Sequence, residues 1–247
     1  MKISIVATYY ERLPQLINTI NSLNRYQRDD FEFIVIDDKS PQNIGRMNNN
    51  FTMSVIKVSK KIWFNSCIPF NIGFKVALSH NPDIIILQNA ESYHAGDILG
   101  YAEQNLTDDN YIAFPCYSLA ETDALPPEKI NNRGASHDGE GAWYNHPTYR
   151  PVGYHFCAAI TANNLRKLNG FDERFMYGIG YDDNYFLQQI QNLGLRIDIP
   201  PDPIVYHQWH YSVKHNDPRL IADNAELYSS LKSCKEFKAR HLITPDL

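Results

Sequence analysis

Short runs of apolar residues recur along the chain, each closed by polar or acidic positions, and between them lie longer stretches with apolar residues three and four apart. Short runs rich in Ile and Val read as buried strands, and the three-four spacing reads as helices lying on a sheet. The pattern predicts a strand over residues 3–7. A polar turn, Thr8-Tyr9-Tyr10-Glu11-Arg12, then leads to a helix with Pro14 in its first turn and Leu13, Leu16, Ile17, Ile20 and Leu23 along one stripe. A second strand over residues 31–36 ends in Asp37-Asp38-Lys39-Ser40. Strand, helix, strand in about 35 residues is a βαβ unit, with parallel strands and a right-handed crossover.

A third strand is expected over residues 55–58. Asn71-Ile72-Gly73 then opens a helix, with Asn71 read either as its cap or as a nucleotide-site residue, and Gly73 allowing backbone and ligand to approach closely. The run Ile84-Ile85-Ile86-Leu87 is the central strand, buried on both faces. Gln88, Asn89, Glu91 and His94 arrive together at its carboxyl end, where open α/β sheets hold their ligands. Glu91 reads either as a metal-reaching carboxylate or as an acid at a helix start, because Ser92 and Asp97 also suit one. His94 reads first as structural.

A short helix after Asp97 and a strand over residues 111–115 come next, followed by a stretch from 121 to 151 with little periodicity. That stretch reads as a long binding loop, and its rings, Trp143, Tyr144, His146 and Tyr149, either stack on an acceptor or pin the loop to the body. Further strands are expected over residues 154–161, 195–199 and 204–206. Between the first two, Asp182 and Asp183 stand at the start of a helix whose buried stripe is Phe186, Leu187, Ile190 and Leu193. His207-Gln208-Trp209-His210 follows the last strand. The tail from 216 has helical spacing, and three readings of it stay open: it covers the nucleotide site, packs on the core, or joins two copies in a homo-oligomer.

Composition narrows the function. With 247 residues, 43% hydrophobic and 21% charged, the chain has the make-up of a soluble globular protein. A net charge of −5 with scattered Lys and Arg gives no footprint for nucleic acid. Cys67, Cys116, Cys157 and Cys234 lie far apart with no C-x-x-C pair, so neither a zinc cluster nor a disulfide framework is indicated. No apolar run approaches the roughly 20 residues that span a bilayer, and no signal-peptide core is seen, so a cytoplasmic location is expected. The first turn lacks Gly-x-Gly-x-x-Gly, which argues against a dinucleotide-binding oxidoreductase.

Four segments in order, Ser4-Ile5-Val6-Ala7-Thr8-Tyr9-Tyr10, Phe33-Ile34-Val35-Ile36-Asp37-Asp38-Lys39-Ser40, Asn71-Ile72-Gly73 and Ile84-Ile85-Ile86-Leu87 with acid following, resemble the nucleotide-binding half of the GT-A glycosyltransferases of family 2 type. Asn169-Gly170-Phe171-Asp172-Glu173 is similar to that family's Gly-Gly-Phe-Asp-Glu segment, and Gly178-Ile179-Gly180-Tyr181-Asp182-Asp183-Asn184-Tyr185-Phe186 to its Gly-x-Glu-Asp-x-x-Phe acceptor helix. The resemblance implies an α/β fold of GT-A, Rossmann-like type, with a mixed, mostly parallel central sheet flanked by helices and a C-terminal helical tail. The expected division is one domain over residues 1–247: a nucleotide-sugar-binding half (1–115), an acceptor or catalytic half (116–215) and the tail (216–247).

It also implies a nucleotide-sugar donor, UDP-linked, and a glycan or other hydroxyl acceptor. Thr8, Tyr10 and Asp38 would hold the nucleoside, with Asn71 and Asn89 counted in the same site. The family's Asp-x-Asp metal motif is altered to Asn89-Ala90-Glu91, leaving Glu91 as its one carboxylate, and a His after the last strand, His207 with His210 as second choice, would complete the shell of Mn²⁺ or Mg²⁺. Asp183 is the expected general base with inversion at the anomeric carbon, and Asp182 its neighbour for acceptor hydroxyls; the alternative is that both acids only cap the helix. The weakened metal motif leaves a second function class open, a non-catalytic nucleotide-sugar or glycan-binding module.

Overall fold

The computed structural model describes residues 1–135, 139–211 and 217–247. Residues 136–138 of the expected loop, and residue 216 at the expected start of the tail, lie outside the described residues.

The first strand, β1 (Ile3–Tyr9), is followed by helix α1 (Leu13–Asn24), which starts with Pro14 in its first turn, as its stripe predicts. Strand β2 (Phe31–Asp37) pairs parallel with β1 and closes the expected βαβ unit. Next along the chain are β3 (Thr52–Lys57), α2 (Cys67–Ser79), β4 (Ile84–Asn89), β5 (Ser92–His94), α3 (Ile98–Asn105), β6 (Asn110–Ala113) and β7 (Cys116–Ser118). The remainder comprises β8 (Ala142–Asn145), β9 (Cys157–Thr161), α4 (Ala162–Leu168), a 3₁₀ turn (Glu173–Tyr177), α5 (Asp182–Asn192), β10 (Arg196–Asp198), β11 (Val205–His207) and α6 (Pro218–Leu231).

Seven strands form the central sheet in the order β10-β6-β9-β4-β1-β2-β3, with only β9 running antiparallel to its neighbours. Residues 84–87 of β4 are fully buried or nearly so, because alternate side chains enter two different cores: Ile84 and Ile86 pack with α1 residues such as Leu16 and Ile20, and Ile85 and Leu87 with α2 residues such as Phe70 and Phe74. A run apolar at every position is what a strand covered by helices on both faces requires. A smaller sheet, β5-β11-β7-β8, stands at the carboxyl end of the large one.

Three local expectations change. Helix α2 begins at Cys67, four residues before Asn71, since Pro69 falls in its first turn, where the missing N–H costs no hydrogen bond. Asn71 is therefore a mid-helix residue. Glu91 lies in the turn between β4 and β5, so it is not a helix-start acid; that place belongs to Asp97, whose carboxylate accepts from the Gly100 N–H. The expected long loop contains β8, which hydrogen-bonds to β7 across an irregular register and buries Trp143 against Tyr117.

The tail packs on the core. Asn224 of α6 donates to the carbonyls of Phe175 and Gly180, and the Ala239 N–H donates to the Leu168 carbonyl. Glu173 receives the N–H groups of Leu242, Ile243 and Thr244; burial would raise its carboxyl, but these bonds hold it below the usual range. The segment similar to Gly-Gly-Phe-Asp-Glu thus anchors the C-terminal residues. No helix among the described residues is long and apolar enough to cross a membrane.

Candidate active site

Strand β4 carries Asn89 to the carboxyl edge of the sheet, and the chain turns through Ala90-Glu91 and returns as β5. Because β11 runs antiparallel to β5 with His207 opposite Ser92, and the Gln208 N–H donates to the Glu91 carbonyl, His207 is delivered beside Glu91. Its Nε2 lies 3.1 Å from Glu91 Oε1, and Nε2 of His210 lies 3.5 Å from the same oxygen. Arg12, at the amino end of α1, places its guanidinium against Oε1 as well. Glu91 Oε2 is buried with no hydrogen-bond partner among the described residues.

Burial alone would push the Glu91 carboxyl up, but the Arg12 charge and the bonds from His207 and His210 hold it well below the usual carboxylate range. Burial lowers His207 despite the opposite pull of Glu91, so this imidazole is neutral near pH 7. One ligand atom each from Glu91, His207 and His210 lie within 4.8 Å of one another. A carboxylate with two imidazoles fits a first-row transition ion better than Mg²⁺, which favours oxygen alone, and Mn²⁺ accepts imidazole nitrogen beside oxygen. The unpartnered Oε2 is a further open ligand atom. His94, by contrast, is fully buried, its Nε2 is 2.7 Å from Gln88 Oε1, and burial pushes it down to about 3; it is a structural residue.

Glu91, His207 and His210 line a cavity of about 620 Å³ together with Asn89, Arg12, Tyr144, Arg150, Tyr154, Phe156 and Asp183. That volume lies within the range of small-molecule sites. Asp183 reaches it from the first turn of α5, where the helix dipole favours acids. The Asn184 amide donates to the Tyr154 hydroxyl at 2.8 Å, Arg150 stacks over the Tyr154 ring at 5.5 Å, and Arg150 donates to the Tyr144 carbonyl at 2.7 Å. Burial raises the Asp183 carboxyl, and burial together with the Asp183 charge pushes Asp182 up to about 7. Asp182 does not line the cavity; its side chain is almost wholly buried beside its neighbour.

Besides Asp182, four expected residues, Thr8, Tyr10, Asp38 and Asn71, lie outside this cavity. Asp38 stands at the end of β2, with its carboxylate accepting from Lys61 Nζ at 2.5 Å and Trp63 Nε1 at 2.8 Å. Burial raises its carboxyl against the Lys61 charge. Tyr10 is 40% exposed with Lys61 over its ring. Thr8 sits between the two groups, in register with Ile36 on one side and Asn89 on the other. With β1 intervening, Asp38 is about 10 Å across the sheet edge from Asn89, so Glu91, Asp183 and His207 share one cavity and Asp38 is not part of its lining.

Asn71 is a plain correction. It is fully buried in α2, donates to the Phe171 carbonyl at 2.9 Å and accepts from the Phe171 N–H at 2.8 Å, so it fastens the 171–173 turn and has no group left for a nucleotide. Gly73 likewise serves packing, since a Cβ there would run into Val6 and Ile36 on the sheet.

The family model described as Glycosyl transferase family 2 matches residues 4–158, more than half of the chain. The chain belongs to glycosyl transferase family 2. No curated protein matches the sequence. Among solved structures, this family 2 glycosyltransferase is similar to the 1–349 fragment of S. aureus TarS, at 15% identity and a TM-score of 0.64 over 96% of this chain and 67% of that one. The same fragment in complex with UDP-GlcNAc superposes with a TM-score of 0.65, covering 96% of this chain and 68% of that one at 15% identity. GalNAc-T7 with UDP, GalNAc and Mn²⁺ matches at 13% identity and a TM-score of 0.61, over 93% of this chain and 48% of that one. At such identities the likeness speaks for the fold, which is the GT-A arrangement that the resemblance implies.

Arg12, Arg150, Tyr154 and Phe156 were not singled out by sequence. Arg12 sits in a turn that reads as merely polar, and its partner Glu91 is remote along the chain.

Proposed function

We propose that this glycosyltransferase moves a sugar from a UDP-linked donor to an acceptor hydroxyl, on a glycan or another molecule, with inversion and with Asp183 as general base. The observation that carries this reading is that Glu91, His207 and Asp183 line one cavity at the carboxyl edge of the sheet in a family 2 chain. The UDP and UDP-GlcNAc complexes of TarS, and GalNAc-T7 with UDP and Mn²⁺, support the choice of nucleotide and metal.

A sugar hydroxyl attacks slowly until a carboxylate in hydrogen-bond reach takes its proton, help worth about 10² to 10⁴ in rate. Asp183, raised by burial against the opposing pull of the Asn184 N–H and the Arg150 charge, is suited to accept that proton. Asp182 is its buried neighbour and is itself raised by burial and by the Asp183 charge. Glu91, His207 and His210 would hold a divalent ion, Mn²⁺ by their chemistry; when bound, that ion neutralises charge on the departing diphosphate. Asn89 and Thr8 face the donor along the strand ends, and Tyr10 and Asp38 take the nucleoside further along the same edge. For Asp38 this requires its carboxylate to exchange Lys61 or Trp63 for the base or ribose. Tyr144 and Tyr154 offer ring faces to the acceptor.

The non-catalytic module remains a distinct reading, favoured by one observation, the Arg12 ion pair on the site's one metal carboxylate. Incubation with UDP-, GDP-, dTDP- and CMP-sugars and Mn²⁺, with release of free nucleotide as the readout, separates the two. Release from a UDP-sugar that stops with chelator and in His207→Ala supports transfer; binding of UDP without release from any donor supports the module.

A further inference from the structure

Three cationic or potentially cationic groups crowd a single atom. Arg12 Nη1, His207 Nε2 and His210 Nε2 all approach Glu91 Oε1, while Oε2 of the same carboxylate, equally buried, has no partner. The two imidazoles are positioned by the last strand and the residues after it. Arg12 comes from elsewhere, the loop between β1 and α1, and a third of its side chain is exposed to the cavity. Its guanidinium occupies the carboxylate oxygen that both imidazoles approach, and it brings charge of the same sign as a divalent ion to the same place.

We propose that Arg12 is a latch on the metal site: its guanidinium fills the cation position on Glu91 and must leave for a divalent ion to bind. The inference rests on the reading of Glu91, His207 and His210 as metal ligands. Two observations support movement. Arg12 heads α1 without a side-chain cap bond of its own, and the described structure gives its guanidinium no hydrogen-bond partner besides Glu91, so leaving costs one ion pair. It also faces the cavity in which a diphosphate would lie, and a guanidinium binds phosphate oxygens in the same forked geometry as a carboxylate. A diphosphate that draws Arg12 off Glu91 opens the carboxylate to the metal, so nucleotide and metal binding are linked, and by thermodynamic reciprocity each strengthens the other.

The test is Mn²⁺ binding to the nucleotide-free protein, followed by calorimetry and by the free-Mn²⁺ electron paramagnetic resonance signal, for the wild type, Arg12→Gln, Arg150→Gln and His207→Ala. Arg150→Gln removes the same charge from the same cavity without vacating Glu91. The latch requires Arg12→Gln to tighten Mn²⁺ by about tenfold or more, Arg150→Gln to change it far less, and His207→Ala to weaken it. Equal tightening in both arginine variants makes the effect general electrostatics and overturns the latch. So does unchanged affinity in Arg12→Gln while His207→Ala loses the ion, a result that leaves the metal site itself standing. Absence of Mn²⁺ binding in wild type and Arg12→Gln alike overturns both.

Discussion

The Asn184 side chain donates to the Tyr154 hydroxyl at 2.8 Å, tying the helix turn that presents Asp183 to the loop that walls the cavity. The bond joins the acidic end of α5 to residues Tyr144 to Phe156, so the position of the proposed base depends on an element far along the chain. Tyr154→Phe is expected to lower kcat about tenfold while leaving KM for the donor unchanged, because positioning of the base enters the chemical step and not donor binding. Steady-state kinetics on the variant check this, with circular dichroism to confirm the fold.

The acid limb of the rate profile should lie above that of an ordinary carboxylate. Burial raises Asp183, and a base works only when ionised, so kcat/KM should climb with pH and level off at higher pH than an ordinary carboxylate would give. A pH profile of kcat/KM measures it. Asp182, pushed up to about 7 by burial and by the Asp183 charge, is still protonated where Asp183 ionises, so Asp182→Asn should leave this limb in place.

Stability should respond to the same pair with the opposite sign from a salt-bridged acid. Asp182 is pushed up to about 7 in the folded protein and is near 4 when unfolded, so between these values the folded state holds more protons and stability falls as pH rises. Thermal melts from pH 4 to 8 should show this decline, and Asp182→Asn should flatten it and raise Tm at pH 8.

Asn71→Ala should damage the fold and spare the site. The change orphans the Phe171 N–H and carbonyl in the interior and costs about 2–3 kcal/mol, a Tm loss of roughly 5–10 °C. UDP affinity measured below the melting range should match the wild type.

Much of this molecule was legible because its strands are short, apolar and buried. Ile84 to Leu87 could be read as the central strand from four residues, and the three-four stripe of α1 from one helix face. What escaped depended on pairings between distant segments. The start of α2 is masked in the sequence by Pro69, a residue that breaks helix interiors, although the first turn tolerates it. Strand β8 was hidden among Gly and Pro residues and shows only through its pairing with β7. Asp38 was read as free for a nucleoside because Lys61 and Trp63, which occupy its oxygens, lie more than twenty residues on. His207 could be placed by family resemblance, but that it would share one carboxylate oxygen with His210 and Arg12 follows only from the antiparallel pairing of β5 with β11.

The most direct test of the account is sugar transfer by Asp183→Asn with UDP binding measured on the same preparation. Transfer should fall by about 10² or more while calorimetry gives the wild-type affinity for UDP and Mn²⁺. Transfer at the wild-type rate would contradict the assignment of Asp183 as the base.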